Sequence, residues 1–175
     1  MRTFRLDHST KSGSFFLQSM RAIGHERNIK HLAVAYDCLR HYVDAKKISL
    51  ETIALTDSYN ADYFACQMAH GDTQMLFGLS GSKHAMLNLA GSLASESYED
   101  VNEDSYDAMC EFTNLVNGSY VGVLEGDDEE MDLVPPVCCE NCHISTNGQF
   151  CVLSLLLDGE QLDMISVIDI IPYMK

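Results

Sequence analysis

The sequence predicts an α+β fold in which long amphipathic helices pack on a largely antiparallel sheet. Segments follow the order helix, three strands, two helices, then three or four strands, the pattern of an antiparallel sheet with its helices segregated. Two dipeptides, Asn147-Gly148 and Asp158-Gly159, stand between strand-like runs and favour tight hairpin turns. The composition, 46% hydrophobic and 21% charged over 175 residues, suits a single domain with its own core.

Residues 1–27 surround one apolar knot, Phe15-Phe16-Leu17, and are expected to form a short helix or a docked arm outside the main domain, 28–175. From Ile29, the positions Leu32, Ala35, Tyr36, Leu39 and Val43 recur at helical spacing and predict an amphipathic helix over 29–44. Strand-like runs follow at Ile48–Thr56, Ala61–His70 and Thr73–Leu79, separated by Asp-Ser-Tyr-Asn and Gly-Asp, both of turn composition. Ser82–Ala94 reads as a second helix, with Ser80 or Ser82 available as its N-cap. Beyond the polar linker SESYEDVNED, a third helix is expected over about 103–124, capped by Asn102 and carrying Glu103, Asp104 and Asp107 near its positive end. After the acidic turn GDDEE come strand-like runs at Met131–Val134, Val137–Ser145, Gln149–Leu157 and Gln161–Asp169.

The third helix carries the candidate site. At about 100° per residue, Met109, Phe112, Val116, Tyr120 and Val123 fall in one stripe that must pack on the sheet. The same spacing gathers Asp107, Glu111, Asn114 and Gly118 on the opposite side. A displayed carboxylate and amide have neither nucleophile nor metal cage, but together they can pair with a cation and hold a water in a chosen orientation. Polar helix faces are most often simply solvated. Glu-x-x-Asn also occurs at Glu99–Asn102, where the asparagine has an easier task as a cap.

In DAMCEFTNLVNGSY, the run Glu111-x-x-Asn114-x-x-x-Gly118 resembles the active helix of the CheC/CheX/FliY class of chemotaxis phosphatases. The strand-turn-helix run GDTQMLFGLSGSKHAMLNLAGSL, the acidic linker, the motif helix and the strand MDLVPPVCC stand in the order found in that class, so residues 28–175 are similar to a CheX-like phosphatase domain. The resemblance implies hydrolysis of the phosphoaspartate of a CheY-type response-regulator receiver domain. It implies that Glu111 pairs with the receiver's conserved lysine, that Asn114 enters the receiver's active site to position the attacking water, and that Asp107, Asn117 and Gly118 border the partner. Mg²⁺ is then supplied by the receiver, with no cofactor of the chain's own, and a homodimer is the expected assembly. The first helix has no Glu-x-x-Asn, which matches the single-site CheX type. Ser119 stands where an asparagine is common, and Asn117 where a small residue is usual. A noncatalytic module of the same fold, binding a receiver or dimerising, is the alternative.

Eleven basic against 26 acidic residues give a net charge of -15, which repels phosphate backbones and anionic lipid and argues against nucleic acid or a membrane as partner. No apolar run reaches the roughly 18 residues of a membrane span, and the start lacks the layout of a secretory signal, so a cytoplasmic protein is expected. Seven cysteines then read mainly as reduced thiols. The string VCCENCH offers a rival centre: Cys138, Cys139, Cys142 and His143 have the form of a haem-attachment or zinc sequence. Strand alternation, however, puts Cys138 and Cys142 on one face and Cys139 and His143 on the other, which argues against a single chelate and for no metal.

Overall fold

A computed structural model describes residues 2–5, 11–125, 130–169 and 172–174. Most of the expected turn GDDEE, residues 126–129, lies outside them. Strand β1 (Arg2–Arg5) and helix α1 (Ser12–Ile23) are followed by helix α2 (Glu26–Tyr42). Then come the long strand β2 (Ile48–Gly71), β3 (Met75–Gly81), helix α3 (Lys83–Ala94) and helix α4 (Glu103–Glu125). Short β4 (Met131–Leu133), long β5 (Val137–Leu157), β6 (Glu160–Ile168) and β7 (Pro172–Met174) complete the chain. Among the described residues, no helix is long and apolar enough to cross a membrane.

Among the described residues every strand pairing is antiparallel, in keeping with the largely antiparallel sheet expected. β2 and β5 form a ribbon from Ile48↔Leu157 to Cys66↔Val137. β3 adds to the second half of β2, β6 adds to the second half of β5, and β3 pairs with β6. The circuit closes the sheet on itself, so both of its faces are filled. One face carries Ala65, Phe77, Leu79, Leu153, Leu155 and Met164 beneath the helices. The other buries Phe64, Cys66, Leu76, Ile144, Phe150, Val152 and Ile165 as a second core. Gly78 is required there, because a Cβ would lie 2.5 Å from the Phe64 ring.

Two of the expected turns are absent. The Asp57-Ser-Tyr-Asn run continues β2, and Asn147-Gly148 continues β5. Their registers explain why. Thr56 faces Phe150 while Ser58 faces Ser145, so residues 146–149 stand opposite Asp57 alone, and both breaker segments are absorbed in one irregularity of the ribbon. Asp158-Gly159 does form the expected hairpin. Both residues have positive φ, 51° and 86°, as a two-residue turn between Leu157 and Glu160 requires.

Helices α3 and α4 begin at the caps expected of them. Ser82 Oγ accepts from the Ala85 amide at 3.2 Å. At the start of α4, Asn102 Oδ1 accepts from the Ser105 amide and Ser105 Oγ from the Asn102 amide, both at 2.9 Å, a reciprocal cap that satisfies two otherwise orphaned donors. Met109, Phe112, Val116 and Tyr120 are buried as expected. Val123 is not: it is 54% exposed, and Val121 and Leu124 are buried in its place, where the end of α4 meets Ala69, Met75 and Ile168.

His31 of α2 lies at the centre of this packing. It is fully buried, stacked 4.4 Å from the Tyr120 ring and near Phe77. Burial drives its pKa down from 6.5 to about 4, against a smaller upward pull from the Asn117 hydrogen bond. Between those two values the unfolded chain takes up a proton that the native chain refuses, so native stability falls as pH drops through that window. The slope contributed is at most about 1.4 kcal/mol per pH unit. Urea unfolding of wild type and His31→Gln at pH 7 and pH 5 measures it: the stability advantage of wild type should shrink at the lower pH, whereas a constant gap would show that His31 does not resist protonation.

Candidate functional site

Helix α4 is fixed to the sheet by its apolar stripe and presents its other side outward. Asp107, Glu111 and Gly118 are exposed, and Asn114 is half-buried. Among the described residues Glu111 has no ion-pair partner. Asp107 and Glu111 form a ridge between two concavities. One, of about 450 Å³, runs toward Leu93, Tyr98 and Leu115. The other, of about 410 Å³, lies between α4 and the 133–136 segment. Asp107, Cys110, Glu111 and Asn114 line its helix side, Gln67 its floor, and Leu133, Val134, Pro135 and Pro136 its far wall. The outward face of α4 is therefore partly a groove. A Cβ on Gly118 would meet nothing within 4 Å, so the fold itself does not need a glycine there.

Asn117 departs from the expected arrangement. It is fully buried, and its side chain serves the interior rather than a partner-facing surface. The physical reason is a row of polar groups running under α4, in which the donors and acceptors can be assigned without ambiguity. Asn117 Nδ2 lies 3.1 Å from the Gln67 backbone carbonyl, which can only accept, so that atom of Asn117 is the amide nitrogen. Asn117 Oδ1 consequently faces His31 Nε2 at 3.1 Å, and the ring nitrogen must donate. A neutral His31 then leaves Nδ1 bare to accept from Ser166 Oγ at 3.0 Å. In the other direction Asn117 Nδ2 also donates to Gln67 Oε1 at 3.1 Å, and Gln67 Nε2 donates to Asn114 Oδ1 at 2.9 Å. Asn28 Nδ2 closes the far end on the Ser166 carbonyl at 3.2 Å. Among the described residues no buried side-chain nitrogen or oxygen is left without a partner.

Gln67 and His31 were not singled out by the sequence reading. A signal was there: Gln67 interrupts the apolar strand run ADYFACQMAH, and His31 lies beside the apolar stripe of α2. Polar residues at such positions must find partners inside.

The cysteine string is not a single centre. Cys139 and Cys142 are joined by a disulfide with Cα atoms 6.3 Å apart, so two of the seven cysteines are not the free thiols expected. Asn141 between them has φ 52°, and this left-handed residue breaks the alternation that would have separated their side chains. Cys138 turns the other way, toward α4, with its Sγ 3.3 Å from Cys110 Sγ. Burial first, and then Cys110, pushes the Cys138 thiol up, which leaves it a poor nucleophile at neutral pH. His143 Nδ1 faces Asn60 Oδ1 at 2.7 Å. Cys138, the Cys139–Cys142 pair and His143 thus make separate contacts, and no metal-holding cluster occurs among the described residues.

Several solved structures share this architecture. A CheC-like superfamily protein from Shewanella sp. PV-4 superposes with a TM-score of 0.67 at 16% identity, over 81% of this chain and 98% of that one. A chemotaxis protein CheX from Desulfovibrio desulfuricans gives 0.68 at 13%, over 82% and 99%. CheX from Borrelia burgdorferi, solved as a complex with CheY, BeF3 and Mg²⁺, gives 0.58 at 17%, over 81% and 97%. At these identities the likeness is one of fold. No curated protein sequence matches the chain. The family model for chemotaxis phosphatase CheX, however, matches residues 63–154, more than half of the sequence, and spans both Gln67 on β2 and the whole outward face of α4. A sheet closed on itself, a motif helix laid across it and this match agree: the chain belongs to the CheX chemotaxis phosphatase family.

Proposed function

We propose that this protein hydrolyses the phosphoaspartate of a CheY-type receiver domain by presenting α4 to the receiver's active site. The observation that carries the reading is the placement of Asn114: half-buried, held by Gln67, and open to a groove beside the exposed Glu111. Glu111 pairs with the receiver's lysine and sets the docking register, while Asn114 reaches the acyl phosphate and positions water. The solved complex of Borrelia CheX with CheY, BeF3 and Mg²⁺ supports a receiver as the partner.

The chemistry asks little more of this chain. In the receiver, Mg²⁺ already neutralises the phosphoryl oxygens, so the missing part is a nucleophile in line with the leaving carboxylate. Holding one water there converts an encounter with solvent into an oriented attack. A rigid helix suits that task, because misplacement by about 1 Å can cost on the order of a hundredfold. This chain carries a net charge of -15, so for a receiver of the same sign local pairing at Glu111 has to outweigh a repulsive long-range field.

Asn114→Ala should lower the rate of phosphate release from a phosphorylated receiver by about a hundredfold, while affinity for the BeF3-loaded receiver, measured by titration calorimetry, is retained. Unchanged turnover would remove Asn114 from the mechanism. Tight binding with no hydrolysis by wild type would make the chain a noncatalytic module. Gly118→Leu tests the docking face. With open space around position 118, the variant should melt no lower than wild type, yet bind the receiver about tenfold more weakly, roughly 1.4 kcal/mol. Undiminished affinity would place the partner elsewhere.

A further inference from the structure

We propose that Gln67 is a positioning residue which sets the orientation of the Asn114 carboxamide, so that its Nδ2 donors, and not its carbonyl oxygen, face the groove. The inference rests on the reading of Asn114 as the group that positions water. An asparagine on an ordinary helix face can turn its carboxamide over at little cost, offering donor or acceptor as the partner demands. Asn114 has lost that freedom. Its Oδ1 receives the Gln67 Nε2 proton at 2.9 Å, and Gln67 cannot turn over in its place, because its own Oε1 receives Asn117 Nδ2 at 3.1 Å. Asn117 in turn is pinned by the Gln67 backbone carbonyl on one side and by His31 Nε2 on the other. Reversing Asn114 would set two amide donors against each other, or would require the whole row to reverse against a backbone carbonyl that cannot donate.

Gln67 is only 2% exposed, and its neighbours on the same side of β2, Ala65 and Ala69, are small and buried. The short side chains let α4 lie close to the strand and leave Gln67 as the link between the buried row and the groove. Presented in this way, Asn114 donates to the oxygen of the attacking water. One lone pair is held and the other is left for phosphorus. As the new oxygen–phosphorus bond forms, the bond from phosphorus to the aspartyl oxygen breaks, its electron pair stays on the carboxylate, and both water protons leave with the inorganic phosphate.

The test uses the full-length chain and CheY-type receivers phosphorylated with radiolabelled acetyl phosphate, comparing wild type, Asn114→Ala, Gln67→Glu and Gln67→Met. Gln67→Glu keeps the acceptor for Asn117 but, when ionised, has no proton for Asn114. Gln67→Met removes both polar functions at similar size, and serves as well if a buried carboxylate impairs folding. Both should lower kcat about tenfold to a hundredfold with little change in KM. The glutamate variant should regain activity relative to the methionine variant as pH is lowered, because a protonated carboxyl again donates to Asn114 Oδ1. His31 behind Asn117, and Asp107, Cys110 and Glu111 in the groove, are common to both variants and cancel in that ratio. Wild-type kcat in Gln67→Met with an inactive Asn114→Ala would overturn the positioning role and leave the phosphatase reading standing, as would a glutamate-to-methionine ratio that does not move with pH. If wild type releases phosphate from no receiver, both fall together.

Discussion

One hydrogen bond organises the site: the Asn117 amide nitrogen on the backbone carbonyl of Gln67. It crosses the buried interface between α4 and β2, where a polar group without a partner costs about 1–3 kcal/mol. That penalty makes every neighbouring choice follow. Asn117 can face His31 only with its oxygen, His31 can then carry its proton only on Nε2, and Gln67 can face Asn114 only with its nitrogen. The depressed pKa of His31 belongs to the same arrangement: burial disfavours the charged ring, and the hydrogen bond to Asn117 offsets that only in part.

The sheet gives that row something firm to rest on. Because β3 and β6 close the circuit begun by β2 and β5, the strand carrying Gln67 is paired on both sides and packed on both faces. Helix α4 begins at a reciprocal cap and is held along its length by aromatic and aliphatic residues. Groups that must be placed to within about half an ångström are best supported by elements of this kind. The moving chemistry, a phosphoryl group and its metal, can then belong entirely to another protein.

Much of this was legible in the sequence, and the failures have physical causes. The motif helix, its Asn102 cap and the Asp158-Gly159 hairpin depend on short-range rules and were read correctly. Asn147-Gly148 is an equally strong local signal, but it lies opposite another breaker in a ribbon that pairs on both sides of the irregularity, and the flanking pairing prevailed. Asn117 was placed on the outer face although, at about 100° per residue, it lies roughly 60° from both Tyr120 and Asn114. A boundary position of that kind is decided by what the neighbouring strand offers, and here Gln67 offers a carbonyl. The disulfide was missed because alternation assumes extended residues throughout, and Asn141 is left-handed. That Glu111 and Asn114 share the outward side of α4 was legible because a pattern on a helix survives without tertiary knowledge, whereas the row behind them exists only once four separate segments, α2, β2, α4 and β6, meet.

The most direct trial of the account is a crystal structure of this chain with a CheY-type receiver carrying Mg²⁺ and beryllofluoride. The account predicts that the receiver sits on the outer face of α4, with its lysine on Glu111 and the Asn114 nitrogen turned toward the beryllofluoride while its oxygen stays on Gln67. A receiver seated on another face, or an Asn114 whose oxygen has swung away from Gln67 to point at the beryllofluoride, would contradict it.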